Sequence, residues 1–168
     1  MTEQPAEAMT ATRSSLEEEG EIAADYLEEL LDIVDMDGDI DIDVDHGRAV
    51  VAVISEYGQD RELERLVGQD GRVLDALQEL TRIAVQNRSG DRSRIMVDVA
   101  GFRQKRRQEL IQLAASAIAE VQEKGFNLPL EPMNAFERKV VHDAVAAAGL
   151  VSQSSGIEPE RYVVIRPA

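Results

Sequence analysis

Three groups of residues in this chain have the types and spacing to hold an anion. Arg138 and His142 stand four apart in a run where Phe136, Val140, Val141, Ala144, Val145 and Ala148 recur at helical spacing. At about 100° per residue the two polar heads lie roughly 40° apart and off the apolar stripe, so they are expected to share a solvent-facing surface. Lys139 and Arg161 are supporting cations. The second group is Gly68-Gln69-Asp70-Gly71-Arg72. Two glycines around a short turn let backbone approach a phosphodiester closely, and the N–H groups of the following helix can face the anion. The third is Arg103-Gln104-Lys105-Arg106-Arg107. Cations at a helix start oppose the helix dipole by a few tenths of a kcal/mol each, so helix stability does not explain them, whereas phosphate contact does.

Other chemistries are poorly provided for. The chain has no cysteine and two histidines, His46 and His142, which removes thiol nucleophiles, cysteine zinc sites and disulfides. Asp35-Met36-Asp37-Gly38-Asp39-Ile40-Asp41 resembles a calcium loop only loosely. Its glycine falls at the fourth position instead of the sixth, and His46 stands where a bidentate Glu is needed. No metal or other cofactor is expected. His142 and Asp143 point about 100° apart on a helix and cannot act as a pair, so no enzyme activity is expected either.

Net charge is −15 over 168 residues, which taken whole argues against nucleic acid. Its distribution reverses that reading. Residues 1–46 hold 16 acidic groups and one base, Arg13, while the remainder carries 17 of each sign. Arg88, Arg92, Arg94 and the 103–107 cluster make a basic region in the middle of the chain. No apolar run reaches the ~18–20 residues of a membrane span and no signal-peptide core is present, so a cytoplasmic protein without membrane insertion is expected.

The elements that must position these groups follow from periodicity. Residues 1–15 lack an apolar period and are expected to form a disordered tail, with Ser15 capping a helix to about Asp35 whose stripe is Ile22, Ala23, Tyr26, Leu27, Leu30, Leu31 and Val34. The alternation from Asp39 to Asp45 predicts a strand with one charged face, and 48–55 a more central strand, apolar on both faces. A loop at Tyr57-Gly58 then leads to a short helix, Asp60–Val67. A longer helix from Arg72 to about Asn87 should bury Val73, Leu74, Leu77, Leu80 and Ala84, and 94–100 makes a third strand. A helix over 103–124 buries Leu110, Ala114, Ala117, Ile118 and Val121; Phe126–Leu130 is a short strand. The helix carrying Arg138 and His142 is followed by a turn-rich loop and a last strand at Tyr162.

The order α-β-β-α-α-β over 16–101, with Gly68–Gly71 between its fourth and fifth elements, resembles a type II KH domain in an α+β chain. The family places its nucleic-acid-binding loop there. Members commonly carry a basic residue between the glycines, whereas here stand Gln69 and Asp70. A carboxylate ~4 Å from a phosphate costs about 1 kcal/mol even in bulk water. Binding through this loop is therefore expected to be weak, unless Asp70 turns away to cap its helix and Arg65 and Arg72 compensate. Arg138-Lys139-Val140-Val141-His142, with Ser152, Ser155-Gly156 and Glu158-Pro159-Glu160-Arg161 before the strand Tyr162–Ile165, resembles the R-3-H domain, named for Arg-x-x-x-His. That assigns 126–168 to the domain and leaves 102–125 as a connecting helix. The two in this order resemble the Jag (SpoIIIJ-associated) family of bacterial RNA-binding proteins, whose longer members carry an extra N-terminal domain that this chain is expected to lack.

The resemblance implies a single-stranded RNA binder, with single-stranded DNA as a related ligand, linked to control of cell envelope growth and shape. It allows a second small KH-domain protein as partner. The implied contacts are Gly68, Gln69, Asp70, Gly71, Arg72, Arg103, Lys105, Arg106, Arg107, Arg138, Lys139, His142 and Arg161. The competing reading is a protein-interaction adaptor whose acidic residues 1–46 dock a basic partner.

Overall fold

A computed structural model describes residues 4–56, 58 and 61–168, with side chains from Thr12 onward. Tyr57 and Asp60, at the expected loop and helix start, lie outside the described residues. The chain is mixed α and β and divides into two compact units, Met1–Arg103 and Gln104–Ala168. Among the described residues no helix is long and apolar enough to cross a membrane.

The first unit runs α1 (Gln4–Val34), β1 (Asp39–Asp45), β2 (Arg48–Ile54), α2 (Glu64–Val67), a single 3-10 turn (Gln69–Gly71), α3 (Arg72–Ser89) and β3 (Met96–Val99). α1 starts at Gln4 and not at a Ser15 cap, so the expected tail is helical over 4–15. Extending an existing helix adds one hydrogen bond per residue without a new nucleus, and residues 4–15 include three Ala, the best helix former. An Arg13–Glu17 pair one turn apart adds a few tenths of a kcal/mol. Ala23, Leu27 and Leu31 form its buried stripe, while Val34 at the end of the helix is 40% exposed.

The sheet has the order β1-β2-β3, with β1 antiparallel and β3 parallel to β2. β2 is central because it has apolar residues for both faces. Ala49, Val51 and Val53 are fully buried on one side, and Val50 and Ala52 half-buried on the other. β1 keeps Asp39, Asp41, Asp43 and Asp45 exposed, which suits an edge strand that must not pair with another chain.

α3 buries Leu74, Leu77, Thr81 and Val85. Val73 and Leu80, expected inward, are 44% and 52% exposed. The buried line is rotated from the expected one because Thr81 takes an inward position. Its hydroxyl donates to the Leu77 carbonyl at 2.8 Å, which satisfies the polar group and leaves its methyl to pack. The short helix α2 starts at Glu64, after turns at 61–63.

The second unit contains most of α4 (Phe102–Lys124), then β4 (Leu128–Pro129), α5 (Ala135–Ala147), β5 (Val151–Ser155) and β6 (Tyr162–Arg166). Its sheet order is β4-β6-β5, antiparallel throughout, with Val163 and Ile165 of β6 fully buried. Residues 151–155 are a strand, where a turn-rich loop was expected. Ser and Gln favour turns locally, but a five-residue ladder with β6 satisfies the backbone here. Leu110, Ala114, Ala117 and Val121 of α4 share one core with Val140, Val141 and Val145 of α5. α4 is therefore a wall of this unit, not a connector standing apart from it.

Candidate nucleic-acid interface

α5 begins at Asn134, whose backbone is extended (φ −70°, ψ 172°). Its Oδ1 accepts from the Glu137 N–H at 2.9 Å, and Glu137 Oε2 accepts from the Asn134 N–H at 3.0 Å. This reciprocal cap satisfies two N–H groups that a helix start otherwise leaves unpaired. Glu137 is only 7% exposed, and its other oxygen accepts from Arg106 Nε at 2.7 Å. One carboxylate thus caps α5 and binds α4.

The next residue, Arg138, is also 7% exposed. Its guanidinium donates to the Met133 carbonyl at 2.6 Å and to Glu158 Oε1 at 2.7 Å. The expectation that Arg138 faces solvent fails for a physical reason. At about 100° per residue Arg138 lies only about 20° from fully buried Val145, so it stands at the edge of the buried face, where residues 133 and 158 supply acceptors. Arg138 ties the lead-in of α5 to the segment before β6, and its charge is used inside the unit.

His142 is half-buried between two hydroxyls of β5, Nδ1 at 2.6 Å from Ser152 Oγ and Nε2 at 2.8 Å from Ser154 Oγ. A neutral imidazole donates through one nitrogen and accepts through the other, so one serine accepts and the other donates. Burial lowers its pKa below the ordinary histidine value, the Arg138 charge lowers it further, and Asp143 opposes. At neutral pH the ring is therefore uncharged, a hydrogen-bonding group beside the Arg138 charge. Lys139 is the exposed member of the motif at 74%, lightly held by Asp143 one turn on at 2.8 Å. Arg161 is half-buried and its Nε is enclosed without a hydrogen-bond partner.

The basic cluster divides in the same way. Arg103 is 13% exposed and belongs to the first unit. Its Nε donates to the Val97 carbonyl at 2.8 Å and its Nη2 to Gln78 at 3.1 Å, with Asp75 at 3.5 Å. Arg106 is held by Glu137 and by Glu109 at 3.3 Å. Lys105 and Arg107 are exposed, and among the described residues neither has an ion-pair or hydrogen-bond partner. Two of the four cations are thus free to meet phosphate.

At the Gly-x-x-Gly turn both glycines have positive φ, 71° at Gly68 and 76° at Gly71. A Cβ on Gly68 would lie 2.3 Å from Val73 Cγ2, and one on Gly71 would lie 2.7 Å from the Phe102 ring. Packing alone thus requires glycine at both places. Asp70 also has positive φ, 55°, which Asp tolerates better than most residues. It does not cap α3: the capping position is Gly71 and no side chain serves it. Gln69 and Asp70 are exposed, as are Arg65 and Arg72, so the carboxylate stays at the mouth of the turn.

Sequence reasoning passed over Glu137 and Ser154, and took Ser152 and Glu158 as part of the R-3-H pattern without placing them beside His142 and Arg138. The Asn134-x-x-Glu137 spacing is a capping-box signal and could have marked the first. The others are brought to α5 only by the fold.

Residues 108–167 match the R-3-H domain family, so the domain includes much of α4 and begins well before residue 126. The chain is 32% identical over 144 residues to the RNA-binding protein KhpB of Clostridium symbiosum, a match covering 85% of this chain and 64% of that protein. It is 33% identical over 103 residues to KhpB of Bacillus subtilis, covering 60% and 50% respectively. KhpB of Lactiplantibacillus plantarum is 32% identical over 126 residues, covering 74% of this chain and 38% of that protein. The chain spans less than two thirds of the length of these relatives.

Two outcomes follow from the internal roles of the motif. Arg138→Ala should lower unfolding stability by about 1–3 kcal/mol in urea denaturation, because it strands the buried Met133 carbonyl. The loss stays below that of a fully buried pair, since Glu158 is 58% exposed and can hydrate. Arg138→Lys should recover only part of it, as an ammonium lacks the fork that bridges two acceptors. For His142, an NMR titration should give a pKa below 6.5. In that window the unfolded chain binds the proton more readily, so stability should fall as pH drops through 6.5 and level off below the folded-state pKa.

Proposed function

We propose that this chain, a homologue of the KhpB proteins of the Jag family that carries an R-3-H domain, is a non-enzymatic binder of single-stranded RNA. In this reading the first unit is a type II KH-like domain, with an aliphatic groove beside α2 and α3 that holds about four nucleotides and a backbone clamp at Gly68–Gly71. Asp70 keeps that clamp weak, and Arg65 and Arg72 offset it. The second unit adds phosphate contacts from Lys105, Arg107 and Lys139. Arg138 and His142 shape that surface from within: the buried guanidinium holds its frame, and the neutral ring offers a face to a base and no charge to a phosphate.

The observation that carries the reading is the pair Lys105 and Arg107, exposed and, among the described residues, without acidic partners at the start of a helix whose dipole disfavours them. Phosphate contact by such cations supplies most sequence-independent affinity for nucleic acid. By the Jag resemblance the protein is a cytoplasmic post-transcriptional regulator tied to cell envelope growth and shape, with a second small KH-domain protein as a partner. The adaptor reading keeps one specific support, the four exposed aspartates of β1, which offer a basic partner a row of charge.

The test is the salt dependence of binding to a labelled single-stranded RNA. Lys105→Ala with Arg107→Ala should weaken binding and reduce the slope of log K against log salt by about 1.4, at ~0.7 per phosphate contact. An unchanged slope would take this helix start out of the contact surface.

A further inference from the structure

A second basic feature lies in the first unit, at the far end of α3 from the glycine turn. Eighteen helical residues at 1.5 Å each separate the two ends by about 27 Å. Here Arg48, Arg82, Arg92, Ser93 and Arg94 line one open cavity of about 470 Å³. That lies within the ~300–1,000 Å³ typical of small-ligand sites.

The four arginines come from β2, α3 and the loop before β3, and of their side chains Arg82 is held by the fold. Ser93 is buried and hydrogen-bonds Glu19 of α1, and it accepts from the Ile95 N–H at 3.2 Å. Ser93 therefore anchors the loop between α3 and β3, and fixes the backbone at Arg92 and Arg94 on either side. The parallel register pairs Val50 with Met96; extending it two residues sets Arg48 beside Arg94 on the same sheet face. Arg82 is fixed by donating from Nε to the Ile95 carbonyl at 2.9 Å and from Nη1 to Glu79 at 2.8 Å.

Glu19, Asp45, Glu79 and Asp91 match the four arginines in number, but among the described residues only Glu79 pairs with one of them. Glu79 offsets Arg82, and Glu19 is engaged by Ser93. Asp45 lies across the β1–β2 ladder from Arg48 but contacts His46, and Asp91 at the loop start is exposed. Arg48, Arg92 and Arg94 have no ion pair or hydrogen bond among the described residues. Like charges converging on one cavity repel unless an anion joins them, and planar guanidinium forks suit phosphate oxygens.

We infer that this cavity binds a phosphate group carrying more than one negative charge: a terminal phosphomonoester or a polyphosphate. A phosphodiester brings one charge, whereas a phosphomonoester brings about 1.5 to 2 near neutral pH, the better match to three unpaired arginines. The chemistry is shared by two sources, the 5′-phosphorylated end of an RNA and a free nucleoside diphosphate. The first source rests on the proposed RNA binding; the second does not.

The experiment uses the full chain and its Arg92→Ala/Arg94→Ala variant, whose replaced side chains are exposed and make no bond among the described residues. Three probes are compared at low salt: one RNA sequence with a 5′-phosphate, the same with a 5′-hydroxyl, and ADP. Inorganic pyrophosphate is titrated in parallel while the arginine Nε–H signals are followed by NMR. The expected result is a roughly fivefold or greater preference for 5′-phosphorylated RNA that the variant loses while it still binds 5′-hydroxyl RNA, with pyrophosphate shifting the cavity arginines. If ADP and pyrophosphate shift those signals with no 5′ preference, the phosphate site stands and its source is the free nucleotide. If the chain binds no RNA but pyrophosphate still shifts them, RNA binding fails and the site stands. RNA binding without 5′ preference, together with unmoved arginine signals, overturns the phosphate site and leaves RNA binding intact.

Discussion

The second unit depends on two adjacent charges that are taken out of water together. Glu137 and Arg138 follow one another on α5, and each is 7% exposed. Neither could be buried alone, since an unpaired ion in a protein interior costs several kcal/mol. Because consecutive residues on a helix point about 100° apart, the two reach different partners. Glu137 reaches back to its own helix start and across to Arg106, while Arg138 reaches Met133 and Glu158. Four segments are thereby fixed by two side chains: the cap of α5, the start of α4, the lead-in at Met133 and the turn before β6.

That arrangement divides the labour among the cations. The hydrogen-bonding capacity of Arg103, Arg106 and Arg138 is directed inward, and their protein partners hold them in defined places. Lys105, Arg107 and Lys139 keep long, exposed side chains, which suit loose, salt-sensitive phosphate contact. His142 sits between the two groups. With both nitrogens engaged by serine hydroxyls it is held in one orientation, and its depressed pKa keeps it neutral where the arginine beside it is charged.

What the sequence made legible was what local periodicity controls. The alternation of Asp39–Asp45 gave β1 with its charged face at the right boundaries, and the apolar content of 48–55 gave the central strand, which ends one residue earlier at Ile54. The inward line of α4, from Leu110 to Val121, was readable for the same reason. What escaped depended on partners distant in sequence. The ion-pair partner of buried Arg138 is Glu158, twenty residues on, and no helical angle contains that. β5 is a strand because β6 pairs with it, against the turn tendency of its serines. Thr81 is inward because its hydroxyl finds a carbonyl one turn back, which a hydropathy pattern counts as polar. The start of α1 at Gln4 escaped differently, since a helix propagates through residues that carry no apolar stripe.

The central claim is that the motif arginine organises the second unit from inside while its neighbours meet the ligand. Following the arginine and lysine side-chain NMR signals of the full chain during titration with single-stranded RNA tests this most directly. The account predicts large shifts at Lys105, Arg107 and Lys139, and an Arg138 guanidinium that stays bonded to Glu158 with its signals nearly unmoved. A large RNA-induced shift at Arg138, with its bond to Glu158 released, would contradict it.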